Sequence, residues 1–223
     1  MSWPISVVGL KVVRGGHAVL TDYSCAVEAG ECVALMGPSG SGKTTLLSAV
    51  TGVSPVTEGS ITVGTTVISK ISAAARAEFR RRHVGLIFQD PELLPELTVA
   101  ENVALLQIFD GVRRSTALER AHVSLSELGV AHLAARAVHD LSGGEAQRVA
   151  LARAFARSDL MEVLVADEPT ASLDPDNAMS VIEALRSRVD SSGVTALIAT
   201  HDERVAAACD RVVMVRPELA PVA

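Results

Sequence analysis

The stretch CVALMGPSGSGKTTLLSAV, residues 32–50, limits what this chain can fold into more than any other. It opens with a short apolar run, as expected of a strand buried on both faces. A loop follows at residues 37–45 that fits G-x-x-x-x-G-K-[ST]. Helical character begins at about Lys43 and runs to Val50. Strand, glycine loop and helix in that order turn backbone N–H groups inward at phosphate oxygens. The helix N-terminus adds positive potential there. Gly37, Pro38, Ser39, Gly40, Ser41, Gly42, Lys43, Thr44 and Thr45 are therefore candidate phosphate-binding residues. Lys43 supplies a point charge to the β- and γ-phosphates, and the Thr44 hydroxyl suits Mg²⁺. An ordinary Gly/Ser turn is the competing reading, and the strand-to-helix context weighs against it.

A phosphate loop of this kind needs an acid at the tip of a neighbouring strand to hold the metal. VLVADE, residues 163–168, offers two. Asp167 is placed to orient Mg²⁺, through water. Glu168 comes directly after and points elsewhere, where it could polarise an attacking water. Taken alone, the pair reads first as a solvated turn; the upstream loop reverses that and tips the reading to function. A base beside the metal acid suits hydrolysis better than transfer to a hydroxyl.

The rest of the chain reads as an α/β fold with three parts. ISVVGLKV and AVLTDYSCAVE look like strands joined at Gly15-Gly16, and GSITVGTTVI returns to strand character. These predict an antiparallel β region near the N-terminus. Residues 76–82 look helical and VGLIF is another buried strand. From Leu97 onward the periodicity is helical with no clear strand, which predicts an inserted helical lobe. EVLVAD, VTALIAT and RVVMV then read as strands, with helices over DPDNAMSVIEALRSRV and ERVAAAC. We expect one domain over residues 1–223, with residues 1–89 and 159–223 forming the α/β core and residues 90–158 the lobe.

LSGGEAQR, residues 141–148, raises a separate question. Glycine costs a helix interior about 1 kcal/mol relative to alanine, yet two glycines open this helix. Ser142 and Glu145 form a capping box on sequence, and capping alone would account for them. Gly143 and Gly144 would also leave N–H groups bare at a positive helix end, a second anion site. One nucleotide could use both devices only if the lobes closed or two subunits faced each other.

Charge and composition exclude some classes. With 20 basic and 26 acidic residues the formal charge is −6, so a nucleic-acid footprint is absent in bulk. The basic run RAEFRRRH reads as the solvated face of a helix. Three cysteines without CxxC spacing argue for reduced thiols rather than a metal or disulfide framework. The first dozen residues lack the basic flank and apolar core of a signal peptide. No apolar run reaches the ~18 residues of a membrane span, so any membrane role is expected to go through a partner chain.

The phosphate loop, LSGGEAQR, VLVADEPT and their order resemble the nucleotide-binding subunits of ATP-binding-cassette (ABC) transporters, over almost the whole chain. The resemblance implies a P-loop NTPase core with a mostly parallel sheet, ATP and Mg²⁺ as ligands, and a head-to-tail pair of ATPase subunits. Each ATP would then lie between the phosphate loop of one subunit and the signature of the other. Gly143 and Gly144, with Ser142 and Glu145, would meet the γ-phosphate held by the partner. Gln89 resembles the Q-loop glutamine that touches Mg²⁺ or water. Residues 172–174 (SLD), with Asp174, resemble the loop crossing the dimer seam. His201 resembles the switch histidine that contacts γ-phosphate and orients water. One position departs from the pattern. Where the family stacks adenine on an aromatic residue, spacing from Val19-Leu20 places Arg14, whose guanidinium plane could stack instead.

Residues 88–103 and the segment upstream look like the branch of lipoprotein-release, macrolide-efflux and cell-division ATPases. The resemblance implies a motor subunit, peripheral on the cytoplasmic face of the cell membrane through permease-type subunits, with a homodimer of the ATPase and no nucleic acid. Leu93, Leu94 and Leu97 are candidates for the membrane partner's docking groove, with lobe core as the competing reading. A soluble ATP-dependent switch or scaffold is the alternative function. A small-molecule kinase has no use for LSGGEAQR or the inserted lobe.

Overall fold

The computed structural model describes residues 2–157, 161–171 and 173–216. Two sheets are formed among them. β1 (Ile5–Arg14), β2 (His17–Val27), β4 (Glu58–Val63) and β5 (Thr66–Val67) make an antiparallel sheet in the order β2-β1-β4-β5. β3 (Cys32–Met36), β6 (Val84–Ile87), β7 (Val163–Asp167), β8 (Thr195–Ala199) and β9 (Arg211–Met214) make a parallel sheet in the order β6-β7-β8-β3-β9. The helices are α1 (Lys43–Val50), α2 (Ala73–His83), α3 (Val99–Phe109), α4 (Arg114–Glu127), α5 (Gly143–Phe155), α6 (Pro175–Ser192) and α7 (Glu203–Ala207). The α/β architecture read from the sequence, with its N-terminal antiparallel region and helical insertion, is the one observed.

The apolar strands of the parallel sheet are buried on both faces, and their period of two sorts them. Val163 and Val165 of β7 and Leu197 of β8 face a cluster shared with the antiparallel sheet and α1. Leu164, Ala166, Ala196 and Ile198 face the other way, into a cluster shared with α3, α4, α5 and α6. The helical lobe is thereby continuous with one face of the parallel sheet.

Helix ends follow local chemistry. Thr98 and Glu101 close a capping box at the start of α3, as Ser142 and Glu145 do at α5. Asp174 caps α6 with Pro175 in its first turn, and Gly193 ends it in the left-handed conformation. α1 has no side-chain cap. Its N-terminus is left to the glycine loop, which is where an anion can complete it.

Candidate functional site

β3 runs directly into the loop, and two of its glycines are required by space. Gly37 has φ +155°, and a Cβ there would sit 2.2 Å from the Val215 carbonyl oxygen. Gly42 has φ +99°, and its Cβ would lie 2.8 Å from Leu20 Cδ2. Neither position admits a side chain without moving its neighbours. The loop wraps a cleft of about 500 Å³. Ser39 to Thr45 line one side; Gln89, Asp167, Glu168 and His201 line the other. Gly37 and Pro38 lie at its root, where their carbonyls accept hydrogen bonds from Lys43 Nζ at 2.7 and 3.3 Å.

Asp167 ends β7, the strand two places from β3 in the sheet. Its Oδ1 is buried and has no hydrogen-bond partner among the described residues. Burial pushes its carboxyl above the usual carboxylate range, and the Glu168 charge adds to this; the Thr44 hydroxyl, bonded to it, and Lys43 pull the other way. Ser41 Oγ is a second buried orphan, on the loop. Unpaired buried polar atoms carry a cost, and these two, with Thr44, form an oxygen set that suits a hard divalent cation and its phosphate ligand. The residues present fit Mg²⁺.

Glu168 follows with φ +47°, rare for a residue with a side chain. The turn is held because Glu168 N–H donates to the Ala199 carbonyl at 2.9 Å. Backbone strain of this kind concentrates at functional sites. The turn aims the Glu168 carboxylate at His201, whose Nδ1 stands 2.8 Å from Oε2 and whose N–H donates to the same oxygen at 3.3 Å. His201 itself remains largely exposed, so its other ring nitrogen is free to face a ligand. Acid, base and phosphate loop thus converge from strands far apart in sequence.

The structure brings most of the expected residues together, and leaves three groups apart. Arg14 does not line the cleft; its guanidinium donates to the Ser54 hydroxyl. Val19 lines the cleft instead, and no aromatic residue does. Ser142, Gly143, Gly144 and Glu145 lie on the lobe and are absent from the cleft lining. A Cβ on Gly143 would meet nothing within 4 Å, so the fold of a single chain does not require glycine there. Asp174 caps α6, accepting from Asn177 N–H at 3.0 Å. Ser172, in the expected seam loop, lies outside the described residues.

Several residues of the site were not anticipated. Gln147 is fully buried and donates to the Phe88 carbonyl at 3.3 Å, fastening α5 to the residue before Gln89. Arg153 donates to the carbonyls of Glu92 and Pro91 at 2.8 and 2.9 Å. Asn102 holds Leu94 through both its N–H and its carbonyl. Polar side chains on an otherwise apolar helix face were the available signal. The loop so fastened borders a second groove of about 400 Å³ between α2, β6, α3 and α5. Leu94, 43% exposed, lines it with Phe88 and four arginines, Arg80, Arg81, Arg153 and Arg157. Leu93 packs against the lobe core, and Leu97 does not line the groove. No helix among the described residues is long and apolar enough to cross a membrane.

Comparison with known proteins agrees with this geometry. Residues 20–171 match the family described as ABC transporter. The chain is 42% identical to "Lipoprotein-releasing system ATP-binding protein LolD 1" of Rhodospirillum rubrum, over 89% of this chain and 87% of the relative. It is also 42% identical to "Macrolide export ATP-binding/permease protein MacB" of Burkholderia pseudomallei, over 87% of this chain but 29% of that longer protein. Among solved structures, the dimeric post-hydrolysis state of the ATP-binding cassette MJ0796, bound to ADP and Pi, superposes with a TM-score of 0.89. That pair shares 29% identity and covers 95% of this chain and 94% of the other.

Proposed function

The chain belongs to the ABC transporter family, and we propose that its cleft residues divide the work of ATP hydrolysis between positioning and proton transfer. It is an ATPase subunit that uses ATP and Mg²⁺. Mg²⁺ supplies charge neutralisation at the β- and γ-phosphates when bound. Asp167 and Gln89 on one wall and the Thr44 hydroxyl on the other would hold it. The loop N–H groups and Lys43 cradle the phosphates, Lys43 exchanging the Gly37 and Pro38 carbonyls for them. Glu168 takes the proton from the attacking water. His201, paired with Glu168 through Nδ1, orients that water and the γ-phosphate from its exposed side. The observation that carries this reading is the Glu168–His201 pair set at the mouth of the phosphate loop.

One ATPase domain spans residues 1–223 in this reading, with the lobe of residues 90–158 carrying the second half of the site. Ser142, Gly143, Gly144 and Glu145 meet the γ-phosphate bound to a second copy of the chain, and Asp174 stands at the seam. The exposed N–H groups at the start of α5 support this, as does the dimeric arrangement of the MJ0796 cassette.

The arginine-lined groove takes a segment of a membrane partner. It lies on the loop that begins at Gln89, so the cleft and the groove share one mechanical element. Closing of the dimer on ATP then pulls the partner and hydrolysis releases it, with the chain held on the cytoplasmic face of the membrane through that partner. The names of the LolD and MacB relatives favour such a motor, acting in lipoprotein release or efflux, over a free-standing switch.

The test is Glu168→Gln, tagged and expressed in its native host. General-base help is worth ~10²–10⁴-fold, so ATP turnover should fall by at least ~10²-fold with binding retained. In ATP the variant should elute as a dimer and carry a polytopic membrane protein through purification. Near-normal turnover would remove Glu168 from the base role. Recovery of the chain alone would remove the membrane partner.

A further inference from the structure

The fold brings two of the three thiols together. Cys32 heads β3 and Cys209 lies between α7 and β9, 177 positions apart, yet their sulfurs stand 3.5 Å from one another, the Cys32 thiol donating. We propose that Cys32 and Cys209 are a reversible disulfide site, closed by a hydroperoxide, and that the bond restrains the segment carrying His201.

The backbones around the pair are held in place. Cys32 N–H donates to Asp210 Oδ2 at 2.9 Å, and Asp210 N–H donates to the Cys32 carbonyl at 2.9 Å. Arg186 fixes the other oxygen of Asp210 at 2.8 Å. β3 and β9 pair from Val33 and Arg211 onward. A disulfide has an S–S length of about 2.05 Å, so the sulfurs need to approach by only about 1.5 Å. Among the described residues no cluster of three His, Cys, Asp or Glu side chains could hold a metal.

Access assigns the roles. Cys32 is 3% exposed, whereas Cys209 is only partly buried and its thiol donates to the Val205 carbonyl at 3.3 Å. The Cys32 hydrogen bond holds the Cys209 thiol below the usual range, with help from Arg186 and against the effect of burial. Cys32 is pushed up, first by the hydrogen bond to Cys209 and then by burial. The Cys209 thiolate therefore attacks one oxygen of the hydroperoxide. The O–O bond breaks, the leaving oxygen takes a proton, and Cys209 becomes a sulfenic acid. The Cys32 sulfur then attacks the Cys209 sulfur; the S–S bond forms, the S–O bond breaks, and hydroxide leaves with the Cys32 proton as water. Two thiols and one hydroperoxide give one disulfide, one water and one alcohol, or a second water from hydrogen peroxide. Cys25 stands apart in β2, where burial raises its thiol.

His201, the Asp202 cap and α7 run into Cys209, while Cys32 begins the strand that leads into the phosphate loop. Joining the two sulfurs pins the far end of the His201 segment to the root of β3. This consequence rests on the role of His201 proposed above; the bond itself does not.

The experiment treats the purified full chain with hydrogen peroxide in the presence of EDTA. Thiols are then titrated after denaturation, cross-linked peptides are mapped, and ATP turnover is measured before and after dithiothreitol. Two of the three thiols should vanish, a Cys32–Cys209 peptide should appear, and turnover should fall several-fold and return on reduction. Cys25→Ser should behave as the parent chain. Cys32→Ser should stop at a sulfenic acid on Cys209 that dimedone traps. Three surviving thiols, a bond through Cys25, or a bond between chains would overturn the site. A closed bond with unchanged turnover would overturn the restraint, and reduced His201→Ala separates the causes. If that variant loses turnover, only the restraint has failed; if it does not, the His201 role has failed with it.

Discussion

Removing the charge of Asp167 should stabilise the chain and disable it at once. Oδ1 of Asp167 is a buried acceptor without a partner, a condition that costs about 1–3 kcal/mol. Asp167→Asn keeps the shape and removes the charge; its amide still leaves one polar atom unpaired, so only the part of this cost due to burying the charge is relieved. Taking the lower end, about 1 kcal/mol, the nucleotide-free variant should melt about 2–4 °C higher for a chain of this size. The pH dependence has a definite sign. The Asp167 carboxyl is held above its ordinary value, first by burial and then by the Glu168 charge. The folded state therefore binds this proton more tightly than the unfolded state does. Its contribution is fully favourable below the ordinary aspartate value of ~3.9, and is lost as pH rises through the raised folded value. The advantage of Asp167→Asn should thus be full at pH 7.5 and shrink as pH is lowered toward that of the free side chain.

Ligand binding separates this from a generic stabilising change. A ligand at a hundred times its dissociation constant adds about 2.7 kcal/mol to the stability of the chain that binds it. In the parent chain Mg²⁺ with ATP should raise the melting temperature well above ATP with EDTA. In Asp167→Asn the two conditions should coincide. Scanning calorimetry or dye-monitored melting across pH, with and without Mg²⁺, reads all of these quantities. A nucleotide-free variant that melts below the parent at pH 7.5, or one that keeps the full Mg²⁺ increment, would refute the argument.

Three further outcomes are expected. Leu94→Glu, in the exposed wall of the arginine groove, should abolish copurification of the membrane partner and leave basal ATPase intact; unchanged transport in the native host would sink the docking role. Gly143→Ala should be neutral or slightly stabilising in the free chain, since nothing lies within 4 Å of the added carbon. It should nevertheless slow turnover at least ~10-fold, about 1.4 kcal/mol of barrier, and unchanged steady-state ATPase would remove Gly143 from the partner's phosphate. With Arg14 turned to Ser54 and no aromatic residue on the cleft, ATP and GTP should compete with similar affinity; a strong ATP preference in a competition titration would count against loose base recognition.

The elements were legible because each carries its own signal over a few consecutive residues. β7 reads as VLVAD because a strand buried on both faces has no polar position to alternate with. α1 starts at Lys43 because the glycine loop before it cannot continue a helix. The acid pair after β7 was legible for the same reason. What escaped was every relation between distant segments. Leu93, Leu94 and Leu97 are alike in sequence, yet one packs on the lobe, one lines the groove and one does neither. Asn102 and Arg153 decide which, by bonding backbone groups that no local pattern identifies. The approach of Cys32 to Cys209 depends on β3 lying between β8 and β9, an order that strand spacing does not encode.

The same distinction explains Gly143, the first glycine of LSGGEAQR; at Gly144 an added Cβ would come 3.2 Å from Leu173 Cδ2. A residue selected by the fold of its own chain shows a reason inside that chain, as Gly37 does against the Val215 carbonyl. Gly143 shows none: its φ is not left-handed and the space around it is open. Gly143 is the first residue of α5, and helix propensity still ranks alanine above glycine. Ser142 and Glu145 already satisfy the helix start, so capping does not call for glycine either. A position that forgoes stability, meets no internal obstacle and presents N–H groups at a positive helix end is explained by something that arrives from outside the chain. The cleft at the other end of the argument has the converse property. It gathers a phosphate loop, Asp167 and Glu168, and among the described residues its lining includes none of α5. On the proposed reading, two surfaces incomplete in complementary ways on one sequence complete each other through a second copy turned head to tail.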